Sequence, residues 1–129
     1  MYGKSLEIYR LGLAMNRLAG DLELEGTALH DLGFSFKNLK QYPEALECYQ
    51  KALSIAKKIS SNLAEEAKVA TLNNIGEVYR NLKQYERALK YYRQGLMIAL
   101  NHQDPDIQPL FQILLNNIEE VQKLSGQLI

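Results

Sequence analysis

The sequence predicts an all-α solenoid of about six antiparallel helices, and three observations predict it. Two segments forty-three residues apart carry nearly the same residues, their apolar positions recur at three- and four-residue steps, and the stretches between them are short. The first copy reads Leu32-Gly33-x-x-Phe36-x-Asn38-Leu39-Lys40-Gln41-Tyr42-x-x-Ala45-Leu46-x-x-Tyr49-x-x-Ala52-Leu53. The second reads Ile75-Gly76-x-x-Tyr79-x-Asn81-Leu82-Lys83-Gln84-Tyr85-x-x-Ala88-Leu89-x-x-Tyr92-x-x-Gly95-Leu96. A unit repeated at this interval stacks on its neighbour to build an elongated helical array, and such arrays work by presenting a surface.

The chain opens on a helix near 4–19, where Ser5-Leu6-Glu7-Ile8-Tyr9 matches Ala45-Leu46-Glu47-Cys48-Tyr49 at an offset of forty. Helices near 23–39 and 63–82 are of an inner kind; in the latter Val69, Leu72, Ile75, Gly76, Tyr79 and Leu82 share one side. Helices near 43–60 and 86–101 are of an outer kind, marked in the former by Ala45, Leu46, Tyr49, Ala52, Leu53, Ala56 and Ile59. Small Ala and Gly residues alternate with Tyr along these stripes, which suits close contacts in which a ring fills the space beside a small neighbour. Pro43 and Glu44 fit a first helical turn, because proline needs no amide donor there and glutamate favours the positive helix end.

A last helix near 106–125 is of the inner kind, since Leu115-Asn116-Asn117-Ile118 repeats Leu72-Asn73-Asn74-Ile75. Asp104-Pro105-Asp106 reads as its cap and start, Pro109 is accommodated in its first turn and Gly126 ends it. The connections fall at roughly 20–22, 40–42, 60–62, 83–85 and 101–105. One repeat domain over 1–129 then comprises a half repeat (4–19), full repeats at about 23–60 and 63–101, and a terminal half repeat (106–125).

Composition narrows the function. Fifteen basic residues balance fifteen acidic ones, which removes a whole-molecule electrostatic case for nucleic acid or anionic membrane as partner. The apolar fraction of 47% and charged fraction of 23% are those of an ordinary folded domain. A single Cys48 forms no intrachain disulfide, no stretch is apolar enough to span a bilayer and the first residues do not read as a signal peptide, so a cytoplasmic location is expected. Cys48 itself reads as a small, partly buried hydrophobe. No phosphate-binding glycine loop, nucleophile elbow or metal-ligand pair occurs, and Glu65-Glu66 and Glu119-Glu120 are adjacent rather than facing carboxylates. No enzymatic activity, cofactor or metal is expected.

At these residues the chain resembles the tetratricopeptide repeat family. The family's pattern falls on Leu29, Leu32, Gly33, Phe36, Tyr42, Ala45, Tyr49 and Ala52, and again on Leu72, Ile75, Gly76, Tyr79, Tyr85, Ala88, Tyr92 and Gly95. The resemblance implies a right-handed α–α superhelix. The spacing of 40 to 43 exceeds the family's usual length and is similar to the long-repeat branch of kinesin light chains and spindle-orientation adaptors. Glu119 stands where Gly33 and Gly76 do, and the usual proline at the end of a unit is absent.

By resemblance to members that hold extended peptides, the inner helices line a groove that binds a protein or peptide partner. The groove positions are His30, Phe34, Lys37 and Asn38, then Asn73, Glu77, Arg80 and Asn81, then Asn116, Glu120, Lys123 and Leu124. Asn73 and Asn116 both donate and accept hydrogen bonds, which suits a peptide backbone. Lys37, Arg80 and Lys123 form a basic column suited to acidic side chains, unless Glu77 and Glu120 pair with Arg80 and Lys123 at i,i+3. Phe34, Glu77 and Glu120 stand where a clamp for a terminal carboxylate would place uncharged donors. A stripe of Lys83, Arg87, Lys90 and Arg93, interrupted by Glu86, marks a second face. The alternative function is self-association, in which the unpaired end helices expose Tyr9 and Leu13 at one end and Leu114, Ile118 and Val121 at the other, and join as a homo-oligomer.

Overall fold

Short connections and an apolar stripe on each helix leave little choice but helical hairpins. In the computed structural model the described residues form six helices: α1 (Tyr2–Ala19), α2 (Leu22–Asn38), α3 (Tyr42–Lys58), α4 (Asn62–Asn81), α5 (Tyr85–Asn101) and α6 (Gln108–Ser125). It describes residues 2–19, 21–59, 62–102 and 104–126, with the side chains of 2–5, 15–19, 62 and 63 excepted; no strand occurs among them. Residues 20, 60, 61 and 103 of the expected connections lie outside that set. The chain divides into two units, Met1–Ala64 and Glu65–Ile129.

In the first unit α2 and α3 run antiparallel. Gly33 lies against the Tyr49 ring, and Gly26 against Ile55 one to two turns along. A Cβ on Gly33 would stand 2.8 Å from Tyr49 Cδ1, so the fully buried ring occupies the space that a side chain would need. α1 closes the unit: Leu13 packs with Leu29 of α2 and with Ala52 and Ile55 of α3, and the Arg10 guanidinium lies 5.4 Å over the Phe36 ring. The second unit repeats the device more tightly, with Gly76 of α4 against Tyr92 of α5. α6 then adds Leu114 and Val121 to a core holding Val69, Ala88, Leu89, Tyr92 and Ala99.

Chain turns explain where the helices stop. At the end of α2 the Gln41 and Lys40 amides donate to the Phe36 and Lys37 carbonyls at 2.9 Å each, a Schellman closure that needs a left-handed residue at Lys40 (φ 61°). α4 ends identically, with Gln84 donating to Tyr79 at 2.8 Å, Lys83 donating to Arg80 at 2.9 Å and Lys83 at φ 60°. Asp21 caps α2 by accepting from the Leu24 amide at 3.1 Å. Pro43 and Pro109 sit in first turns as expected, and Gly126 ends α6 in the left-handed region at φ 75°.

The start of α6 differs from the expectation. Residues 105–107 form a turn closed by Ile107 N–H donating to the Asp104 carbonyl at 3.0 Å, and Asp104 Oδ1 accepts from the Asp106 amide at 2.9 Å. The helix begins only at Gln108. Ile107 is drawn into the core with no exposure, and its burial places the chain so that Asp104 caps a turn rather than the helix.

Candidate functional site: the inner helix faces

The inner helices carry polar side chains beside the stripe that grips the tyrosines. In the first unit α2 presents Phe34, 45% exposed, with Lys37 Nζ 4.8 Å over its ring. An aromatic ring and a cation in that relation form one amphipathic platform. His30 is half-buried, with its ring 5.6 Å from that of Tyr49 and tilted to it, and Asn38 is half-buried at the helix end. His30 therefore belongs as much to the packing of α2 on α3 as to the open face.

In the second unit α4 and α6 lie side by side and run the same way, since Asn73 meets Asn117 and Arg80 meets Glu120. Asn117 Nδ2 donates to Asn73 Oδ1 at 2.7 Å, and Asn73 Nδ2 donates to Glu77 Oε1 at 3.2 Å. Arg80 Nη1 stands 3.3 Å from Glu120 Oε1. Asn81, Asn116, Glu120, Lys123 and Leu124 are exposed, while Glu77 and Arg80 are half-buried. Asn116 Oδ1 accepts from Gln112 Nε2 at 3.0 Å on its own helix.

Several expectations change here. Asn73 is only 8% exposed and spends its amide on Asn117 and Glu77, so it ties two helices together instead of standing open beside Asn116. Periodicity placed Asn73 and Asn116 in one column, whereas the neighbour that reaches Asn73 is the residue after Asn116. The doubled Asn in Leu-Asn-Asn-Ile was the signal for it. The basic column had i,i+3 pairing with Glu77 and Glu120 as its alternative; the acids found on it are Glu120, which pairs with Arg80 across helices, and Glu119, which pairs with Lys123, each at 3.3 Å.

The stripes expected to lie bare at the chain's ends are largely covered. Leu13 is buried in the first unit's core, Leu114 and Val121 are fully buried in the second, Ile118 packs beside them and Tyr9 is half-buried. The reason is that a half repeat turns its apolar stripe toward the hairpin next to it. Sequence periodicity names that stripe without saying whether a neighbour covers it. Among the described residues, the large apolar side chains exposed on the end helices are instead Ile8 and Leu11 on α1 and Ile113, Leu115 and Leu124 on α6.

Among the described residues no cluster of three or more His, Cys, Asp or Glu could hold a metal ion, and no helix is long and apolar enough to cross a membrane. Burial, and then the neighbouring Glu47 carboxylate, push the Cys48 thiol up from its ordinary range. Burial also raises the Tyr92 phenol far above that of an ordinary tyrosine.

The fold recurs in solved structures. BtubC (BKLC) from P. vanneervenii superposes with a TM-score of 0.85 at 24% identity over 97% of this chain and 50% of that one. The apo form of RapI gives 0.69 at 18% identity with the same coverage, 97% and 50%. At such identities the likeness is one of fold, and the chain spans half the length of each. A comparison with curated protein sequences finds no relative. The tetratricopeptide repeat family model matches residues 24–101, more than half of the chain, and covers both Gly-Tyr hairpins described above. With six helices in this fold and that match, the chain belongs to the tetratricopeptide repeat family.

Proposed function

We propose that this protein is a non-enzymatic interaction scaffold whose inner helix faces hold a segment of a protein partner. The observation that carries the reading is the side-by-side placement of α4 and α6. Asn117 with Asn73 and Arg80 with Glu120 hold polar groups of these two helices beside one another in the second unit. That surface offers amide donors and acceptors at Asn81 and Asn116 together with charges at Glu77, Arg80, Glu120 and Lys123. Such a mixture suits backbone recognition with selection by side-chain charge. In the first unit, taken by itself, the platform of Phe34 and Lys37 on α2, flanked by His30 and Asn38, offers an apolar contact with a cation beside it.

The test is a peptide array probed with the whole protein, repeated with Asn81→Ala and Asn116→Ala combined and with Phe34→Ala alone. Both sites are exposed enough for the fold to survive, as a circular dichroism melt will show. Array spots that keep full signal with all variants would refute the assignment.

Self-association is the second reading, favoured by Ile8 and Leu11, which are 67% and 63% exposed one turn apart on α1. In light scattering across a concentration range it predicts an assembly that Ile8→Glu with Leu11→Glu disperses. A monomer at every concentration would eliminate it.

A further inference from the structure

We infer that the outward face of α5 is a second docking surface, separate from the inner helices, that takes an acidic protein segment ending in an apolar anchor. α5 buries Ala88, Leu89, Tyr92, Gly95 and Ala99, and its opposite side carries Arg87, Lys90 and Arg93, preceded by Lys83. All four cations are exposed, and the three on α5, Arg87 to Arg93, span about 9 Å at the helical rise of ~1.5 Å per residue. Glu86 is the acid within the row and leaves a positive excess there, although the chain as a whole is neutral.

A row of basic residues alone is usually a solvated face. This one is built. Tyr79 of α4 and Tyr91 of α5 stack with centroids 5.5 Å apart and ring planes 13° apart. Arg87 lies 5.7 Å over the Tyr79 ring and Lys90 5.8 Å over the Tyr91 ring. Arg87 Nη1 also donates to Gln84 Oε1 at 3.0 Å. Aromatic and amide contacts hold the two cations in place without cancelling their charge, so less side-chain entropy is lost when a carboxylate arrives. The described Lys and Arg ion pairs engage Lys51, Lys68, Arg80 and Lys123, none of them in this row.

The order of chemistry along the helix selects the partner. Past the cations, the same side exposes Met97 and Leu100, at 61% and 56%. A segment with carboxylates at one end and an apolar side chain at the other matches this sequence of contacts. Nucleobases are poorly served, because each tyrosine gives one ring face to the other and has a cation over its ring, which leaves no clear stacking platform. An anionic membrane is also poorly served, because a helix lying in the interface sinks a broad apolar face, and here charge occupies the centre.

The experiment is fluorescence anisotropy of the whole protein with a labelled synthetic peptide carrying a short glutamate run followed by leucine. Binding that weakens as salt rises is expected. Arg87→Glu with Lys90→Glu should weaken it about tenfold or more, and Arg87→Gln with Lys90→Gln about threefold to fivefold. Met97→Ser should weaken it about threefold at unchanged salt dependence, because it removes apolar contact and no charge. Asn81→Ala with Asn116→Ala should leave it unchanged, which separates this surface from the inner faces. Equal binding by the charge variants, or tighter binding of a single-stranded oligonucleotide or of phosphatidylserine vesicles than of the peptide, would overturn the proposal.

Discussion

Replacing Gly76 by alanine tests whether the glycine–tyrosine contact sets the spacing of α4 and α5. In a helix interior the change normally stabilises by about 1 kcal/mol, because glycine loses more backbone freedom on folding. Here the new Cβ would stand 2.4 Å from Tyr92 Cε1 and 2.6 Å from Cδ1, well inside contact distance. Tyr92 has no exposure and sits among Val69, Ala88, Leu89, Leu114 and Val121, so its ring has nowhere to retreat. Overpacking of this kind costs about 1–3 kcal/mol and more where the backbone must part, which outweighs the propensity gain. Gly95→Ala, also on a helix of the second unit, is the control. Its Cβ would meet Leu114 methyls at 3.4 Å and Leu72 Cβ at 3.5 Å, ordinary contacts, and Ala52 already fills the equivalent position of the first copy. We expect Gly76→Ala to lower stability by about 1–3 kcal/mol and Gly95→Ala to raise it by about 0.5–1 kcal/mol, read as opposite shifts in denaturant midpoint by far-ultraviolet circular dichroism. The same sign for both variants would refute the argument, since propensity alone would then account for them.

Lys40→Gly and Lys83→Gly should each stabilise by about 1 kcal/mol, because both lysines hold a left-handed backbone that glycine adopts freely; hydrogen exchange of the Gln41 and Gln84 amides should slow with them. Tyr92→Phe should be neutral or stabilising by up to about 1 kcal/mol, because the buried Tyr92 hydroxyl has no hydrogen-bond partner among the described residues. The same variant probes pH. Burial raises the folded-state value of Tyr92, so its contribution is intact below the ordinary tyrosine value of about 10 and is lost as pH climbs beyond it. Wild type should therefore lose stability between about pH 10 and pH 12 faster than Tyr92→Phe, and parallel melting curves would contradict this. Cys48 should react with a disulfide reagent at pH 8 at least about tenfold more slowly in the folded protein than in denaturant, because burial both shields the thiol and raises its proton affinity.

The helices were legible because their signals are local and repeated. Val69, Leu72, Ile75 and Gly76 give the α4 stripe within two turns, and the second copy confirms the phase of the first. The contact between small residues and rings was legible for the same reason: Gly33 with Tyr49 and Gly76 with Tyr92 occupy equal registers. What the sequence concealed depends on the neighbour across the gap. A lysine in the left-handed position ends α2 and α4 without the glycine that usually announces such a turn, so Lys40 and Lys83 looked like ordinary loop residues. The start of α6 moved because burying Ile107 outranks capping by an exposed aspartate. In the candidate site Asn73 is buried where an open position was expected, because helical periodicity fixes a residue's angle about its own axis and not the distance to the next helix.

That distinction sorts the polar groups of α4 and α6 by what each costs to disturb. The Asn117–Asn73 bond is short, and Asn73 is shielded from water, so breaking it strands a buried amide at a cost of about 1–3 kcal/mol. The Arg80–Glu120 pair is different. Its side chains are 26% and 55% exposed, and ion pairs in such surroundings contribute about 0–1 kcal/mol. Lys123 with Glu119 is more exposed still and sits at i,i+4 with the acid first, the favoured helical order, again worth only about 0.5 kcal/mol. Displacing Glu120 from Arg80 therefore costs little, as the proposed binding of a partner carboxylate there would require, whereas prising Asn73 from Asn117 costs more. The buried amide fixes the separation of the helices, and the weakly held ions beside it are what a bound segment would select by charge. Under the proposed binding role the face would keep its shape while its charges exchanged partners, so that a segment could be recognised without refolding around it.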